Sequence, residues 1–173
     1  MAVNTWTGAT DTDFGTAGNW NTTGVTDRVP TNADDVIIPN VTNDPVLDTT
    51  YTINSLAISS GGSLDGDNNE LTIDGEKGGW AVDLQNGSII VGTDTDITIT
   101  TADATNIDVS AGTGGIRNLT INDASCVGTL TGVCTLTGDL TITAGTLTTL
   151  DSDGSTSRNL TVDGDVSVTG TLT

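Results

Sequence analysis

A phrase of four residues recurs five times along the chain, and this repetition constrains the fold more than any other feature. Each copy has a polar residue, an aliphatic residue, a threonine and a β-branched aliphatic residue. The copies are Glu70-Leu71-Thr72-Ile73, Asp96-Ile97-Thr98-Ile99, Asn118-Leu119-Thr120-Ile121, Asp139-Leu140-Thr141-Ile142 and Asn159-Leu160-Thr161-Val162, and their starts are 26, 22, 21 and 20 residues apart. Alternation of apolar and polar residues predicts half-buried β-strands. Recurrence at about 20 residues is typical of stacked repeats, in which one repeat cannot bury its apolar face alone.

Stacking of the five strands in register would align equivalent side chains about 4.8 Å apart. The two inward columns would be Leu71, Ile97, Leu119, Leu140 and Leu160, and Ile73, Ile99, Ile121, Ile142 and Val162. The threonines would form an outward ladder. Few residues are aromatic (3%), whereas threonine, valine and isoleucine favour pleated surfaces and the 22 glycines favour turns. We therefore predict an all-β fold, a single-stranded parallel β-helix (β-solenoid) with coils of about 20 residues over 51–173.

Residues 1–50 differ from the rest and predict an irregular N-terminal cap. They contain Trp6, Phe14, Trp20 and all three prolines. The end of a solenoid exposes apolar surface and unpaired strand edges, so the aromatic residues are expected to plug that end. The same three residues, together with Trp80, are the candidate partner-binding residues. A carbohydrate-stacking role for the tryptophans is the alternative.

Two other segments interrupt the repeat. Gly75–Trp80 is the longest insertion and explains the spacing of 26; we predict a protruding loop in which Trp80 plugs an interface or folds back on a strand. The segment Val166–Thr173 has no aromatic plug, no proline and no charge run. Because open edges invite association, we expect a partner or symmetry mates to cover it, most simply in a homo-trimer.

The net charge of −19, from 23 acidic and four basic residues, excludes some partners. Such a charge repels nucleic acid and anionic membranes, so we predict binding to neither. It favours solubility and docking on a basic protein surface. The acidic clusters Asp65–Glu70 and Asp151–Gly154 are candidate calcium sites because hard cations prefer oxygen ligands. Neither completes a known calcium loop, so we interpret both as solvated turns and predict no metal and no cofactor.

Cys126 and Cys134 are eight residues apart, and the chain has no histidine to complete a zinc site. We expect two free, inward-facing thiols, with a disulfide as the alternative. An enzyme is not predicted, since one lysine, three arginines, one tyrosine and no histidine offer little to a polysaccharide lyase. Paired carboxylates could serve a glycosidase, but a threonine-rich face without aromatic residues makes a poor sugar cleft.

The N-terminal run Trp6-Thr7-Gly8, Asn19-Trp20, Pro30 and Asp34-Asp35-Val36-Ile37-Ile38-Pro39, followed by Asn54-Ser55-Leu56-Ala57-Ile58 and Gly62-Ser63-Leu64, resembles the opening of β-solenoid surface proteins. These include bacterial adhesin passengers and structural proteins of tailed phages. The resemblance implies a scaffold or binding role. The N-terminus has neither a basic region nor an apolar run typical of a secretory signal, so we expect synthesis in a host cytoplasm and a place on the virion surface.

The predicted function is therefore a non-enzymatic virion structural protein, a phage capsid decoration or cement protein that binds and stabilises the capsid surface. Its expected partner is the major capsid protein or another virion protein. A cell-surface adhesin or fibre module is the alternative, and a carbohydrate-active β-helix enzyme is a remote one.

Overall fold

The computed structural model describes residues 1–84, 89–91, 94–108, 116–150 and 157–173, without the side chains of residues 89 and 91. This part contains 17 β-strands, and its only helix is the three-residue 3-10 helix Ala17–Asn19. None of the described residues belongs to a helix long and apolar enough to cross a membrane. The strands are β1 (Ala2–Trp6), β2 (Trp20–Thr22), β3 (Asp34–Ile38), β4 (Tyr51–Ile53), β5 (Ser55–Ile58), β6 (Ser63–Asp65), β7 (Glu70–Ile73), β8 (Trp80–Leu84), β9 (Ile89–Val91), β10 (Asp96–Ile99), β11 (Ala104–Asp108), β12 (Leu119–Leu130), β13 (Cys134–Leu136), β14 (Leu140–Thr148), β15 (Leu160–Val162), β16 (Val166–Val168) and β17 (Thr171–Leu172).

Thirteen strands form one mixed sheet that is curled into a half-barrel. Its order is β2-β1-β3-β5-β8-β11-β12-β10-β7-β4, and β14 pairs with β12 and also with β16 and β17. β1 and β2 are antiparallel, with Trp6 opposite Trp20, whereas the other neighbours in this sheet are parallel. Two small sheets, β13–β15 and β6–β9, lie outside it.

The strand β12 joins two rows of strands into that one sheet. One row leads through β4, β7 and β10, and the other through β2, β1, β3, β5, β8 and β11. Its first residues pair with β10, Leu119 opposite Ile97, and its last residues pair with β11, Val127 opposite Ala104. β12 is 12 residues long and β14 is nine. The two long strands pair along most of their length, with register shifts after Ile121 and after Asn122. Shifts of this kind bend strands without ending them.

The all-β prediction is confirmed, but the single-stranded parallel β-helix with coils of about 20 residues is wrong. The coils of a β-helix consist of short strands separated by turns. β12 and β14 instead continue well beyond the phrase, for 12 and nine residues in all, so both rows belong to one curled sheet, which the antiparallel β1–β2 pair makes mixed. The resemblance to β-solenoid proteins is wrong for the same reason.

The predicted irregular N-terminal cap also differs from the structure, because residues 1–50 contribute β1, β2 and β3 to the main sheet. β3 pairs with β5 across the expected boundary at residue 50, and one hydrophobic core includes residues from both sides of it. The two-part division of the chain stays a prediction.

Four of the five phrases align as their pattern indicates. β7, β10, β12 and β14 are neighbours in register. Their aliphatic residues are fully buried, and their threonines are partly exposed. The aligned aliphatic residues are Leu71, Ile97, Leu119 and Leu140 in one column and Ile73, Ile99, Ile121 and Ile142 in the other.

The fifth phrase does not join these columns. Leu160 lies opposite Cys134 in the small sheet β13–β15, and the position beside β14 is occupied by β16, with Val166 opposite Leu140. Leu160 and Val162 are consequently half-buried. The prediction of five equivalent strands is therefore wrong for the last copy.

Candidate interaction surfaces

An aromatic cluster closes the N-terminal part of the core. The Phe14 ring centroid lies 4.7 Å from that of Trp20 and 4.5 Å from that of Tyr51, and the Trp6 and Trp20 rings meet edge to face at 4.9 Å. The indole nitrogens of Trp6 and Trp20 donate to the carbonyl oxygens of Asn43 (2.7 Å) and Phe14 (2.8 Å). At most 1% of each of Trp6, Phe14 and Trp20 is exposed. These three residues belong to the core of the curled sheet and do not plug the end of a solenoid, and none offers a ring face on which a sugar or partner could stack.

An ion pair between the half-buried Arg28 and the buried Asp34 fixes the segment that leads into β3. Both Arg28 guanidinium nitrogens Nη1 and Nη2 donate to the Asp34 carboxylate at 2.6 Å, and the backbone N–H and hydroxyl of Thr31 add bonds of 2.8 Å. Burial favours the neutral acid, but the bonds from Arg28 and Thr31 outweigh it and hold the pKa of Asp34 below its ordinary value. The bonds to Asp34 raise the pKa of Arg28. The pair is structural, since Asp34 is fully buried.

The insertion Gly75–Trp80 is a tight hairpin. Lys77 and Trp80 exchange backbone hydrogen bonds of 2.9 and 3.2 Å. Between them, Gly78 and Gly79 have φ of +62° and +88°. Positive φ at both central residues is the signature of the type I′ turn, for which Gly-Gly is favoured. The predicted loop is thus a tight turn, and Trp80 is the first residue of β8, half-buried.

A buried polar network holds this hairpin against the sheet. Asn54 Nδ2 donates to Asp35 Oδ1 (2.7 Å) and to the Glu76 carbonyl oxygen (3.0 Å), and Ser55 Oγ donates to the same carboxylate oxygen (2.9 Å). Lys77 Nζ lies 3.7 Å from Asp35 Oδ2. Asp35, Asn54 and Ser55 are all buried. These residues are not among the predicted site residues; the only signal in the sequence was polar side chains at the starts of β3 and β5 and between β4 and β5.

A groove of about 210 Å³ lies beneath the hairpin, on the outer face of β3, β5 and β8. Its floor contains Ile37, Ala57 and Asp83, which are opposite one another on the three adjacent strands and half-buried. The lining residues are Val36, Ile37, Ser55, Leu56, Ala57, Lys77, Trp80 and Asp83. Trp80 is the one candidate partner-binding residue that borders an accessible space.

The strands β16 and β17 form an apolar edge. Within the described part of the chain, both pair with β14 alone. Val166, Val168 and Leu172 lie opposite the buried Leu140, Ile142 and Leu147. They are nevertheless 54%, 44% and 39% exposed. Core-type side chains therefore line an accessible edge here.

The first acidic cluster, Asp65–Glu70, and the two cysteines are described by the structure. Asp65 accepts the backbone N–H of Asp67 (3.0 Å) and Glu70 the Thr72 hydroxyl (3.0 Å), and no group of three or more potential metal ligands occurs among the described residues. The second cluster, Asp151–Gly154, lies outside the described residues. Cys126 and Cys134 are free and buried, as predicted. Burial raises the pKa of the Cys126 thiol to about 11, assisted by Asp123, and that of Cys134 to about 12.

The comparisons with known proteins add no relationship. Neither protein-family models, nor curated proteins, nor solved structures match this chain. The resemblance to adhesin passengers and tailed-phage proteins thus has no support from homology, and no comparison gives evidence for a virion or capsid function.

Proposed function

We propose that this protein is a non-enzymatic structural protein that binds to a larger protein assembly and stabilises its surface. The observation that supports this most is the apolar edge of β16 and β17, on which Val166, Val168 and Leu172 are exposed although they continue buried columns. Exposed strand edges with apolar side chains are templates for association.

The charge of the chain selects the kind of surface it can bind. A net charge of −19 opposes association of the acidic faces of two copies and favours a basic surface around an apolar contact. Weak individual contacts become effective when many copies bind to one assembly. The capsid of a virus is the assembly that sequence analysis predicted, with homo-trimers as the bound form. An adhesin or fibre module, bound within a cell-surface assembly, is the alternative.

Intact-particle mass spectrometry tests the proposal. We expect the chain in purified virions, at a stoichiometry that a Val168→Asp variant lowers about tenfold or more, because a carboxylate at the edge must be desolvated on docking. Val25→Asp is the matched control, since Val25 is 57% exposed and lies outside the strands.

The outcomes separate the candidates. Recovery from cell-envelope fractions instead of virions supports the alternative. Absence from every high-mass assembly, or depolymerisation of any member of a glycan panel by the purified chain, overturns the proposal. Equal loss of binding by Val25→Asp and Val168→Asp contradicts the role of the edge.

A further inference from the structure

We propose that the groove beneath the Lys77–Trp80 hairpin binds an aliphatic side chain of a protein partner whose adjacent residues are basic. This inference deepens the proposed function and rests on it, because it assumes that the chain docks on protein. It assigns a second contact, distinct from the edge of β16 and β17.

The groove is preformed in the structure without a partner. The Lys77–Trp80 hairpin that borders it is a type I′ turn, which has few alternative conformations. The residue before this turn, Glu76, is held to the sheet because Asn54 donates to its carbonyl oxygen and to Asp35. Gly75 lies in direct contact with Asn54, too close for any larger residue there. A rigid site loses little conformational entropy on binding.

The size and the lining of the groove suit a side chain better than a cofactor. Its volume of about 210 Å³ is below the roughly 300–1,000 Å³ of sites for drug-sized ligands. Ile37, Ala57 and Trp80 supply the apolar part of the lining. An aliphatic side chain bound there would bury its own apolar surface and that of the lining. Burial of apolar surface is the principal favourable contribution to such contacts.

The charged residues that line the groove set the chemistry of the flanking residues. Lys77 is already 3.7 Å from Asp35. Asp83 lies opposite Ala57 on the adjacent strand. The Asp83 carboxylate favours a lysine or arginine next to the anchoring side chain. The net charge of −19 favours the same basic partner.

Titration of the protein with short peptides, followed by NMR, tests this assignment. The probes are acetyl-Leu-Lys-Lys-amide, acetyl-Leu-Glu-Glu-amide and acetyl-Gly-Lys-Lys-amide at millimolar concentrations. We expect the first to shift the Trp80 indole and Ala57 methyl signals saturably, and the other two to bind at least about tenfold more weakly. The indoles of the buried Trp6 and Trp20 provide an internal reference.

Three variants locate the effect. Ala57→Leu fills the groove and is expected to abolish the shifts, whereas Thr98→Leu, on the outward face of β10, leaves them unchanged. Asp83→Asn is expected to weaken the lysine peptide selectively. Absence of a Trp80 shift, equal shifts with all three peptides, or saturable shifts with glucose, galactose or N-acetylglucosamine would overturn the inference, the last in favour of a glycan.

Failure here is distinguishable from failure of the proposed function. The peptide titration measures the groove in the isolated chain, and Val168→Asp should not alter it. The particle measurement reports docking as a whole.

Discussion

At the scale of single residues, the polar residues that begin three of the phrases, Asp96, Asn118 and Asp139, link neighbouring strands. Asn118 Oδ1 accepts the backbone N–H of Asp139 (2.6 Å), and Asp139 Oδ1 accepts that of Asp165 (2.8 Å). Asn118 Nδ2 donates in turn to Asp96 Oδ1 (2.9 Å). A short side chain with an acceptor oxygen satisfies the backbone N–H at the start of the next strand. Aspartate and asparagine both meet this need, as Asn118 and Asp139 show.

Asp34 provides a prediction on stability and pH. Its pKa is lower in the folded protein than the ordinary 3.8, because the bonds from Arg28 and Thr31 outweigh burial. A lowered folded pKa stabilises the protein above the unfolded pKa, and this contribution is lost as the pH falls through the folded value. We expect Asp34→Asn to lower the free energy of unfolding by about 1–3 kcal/mol at pH 7, with a difference that shrinks below pH 3.8.

Urea denaturation of both proteins between pH 2.5 and 7 measures this difference. The comparison cancels the titration of the other carboxylates, which both proteins share. A difference that stays constant across the range would contradict the pairing of Asp34 with Arg28.

At the scale of elements, the five phrases are similar in sequence, but the fifth lies in a different sheet from the other four. Leu119 in β12 is fully buried between the strands of the main sheet, whereas Leu160 in β15 is half-buried in a two-stranded sheet. Leu119→Ala should therefore lower the free energy of unfolding by about 2–5 kcal/mol, and Leu160→Ala by about 1 kcal/mol, because the second truncation leaves no enclosed cavity.

Denaturant unfolding of the two variants and the unmodified protein measures both losses in the free energy of unfolding. The pair is matched in chemistry and in sequence context, so helix or strand propensity cannot cause the difference. Equal losses would mean that the fifth phrase is buried like the others.

The phrase pattern predicted the strands, their inward columns and the outward threonines of four copies, because alternation and spacing are local properties. The place of the fifth copy could not be predicted in the same way. Val166-Ser167-Val168 offers β14 the same alternation as Leu160-Thr161-Val162, and only the whole packing decides between them. The Gly-Gly hairpin was predictable as a loop, but the bond from Asn54 to Asp35 joins residues 19 apart. No local pattern indicates such a contact.

At the scale of the whole molecule, the charge of −19 lowers stability while it favours solubility. Among the described residues, Arg28, Lys77 and Arg117 each form an ion pair with an aspartate. The four basic residues are too few to neutralise most of the 23 acidic residues. Salt at about 0.15 M shortens the range of this repulsion to about 8 Å.

We accordingly expect the melting temperature to rise by several degrees between about 10 and 200 mM NaCl, since screening removes repulsion that the compact state suffers more than the unfolded chain. Thermal scans at graded salt measure the effect. CaCl2 at matched ionic strength is the control, and a distinctly larger rise with calcium would contradict the interpretation of Asp65–Glu70 as a solvated turn. A fall in melting temperature with NaCl would contradict the charge argument.

The sharing of β12 and β14 between the two rows has a consequence for cooperativity. Proteins made of repeats can lose terminal units one at a time, because each unit contacts only its neighbours. Here β12 pairs with β10, β11 and β14. Unfolding of either row would therefore remove hydrogen bonds from a strand that the other row also needs. A chain composed of short strands should thus unfold in a single transition, with no populated state in which half of the sheet has melted.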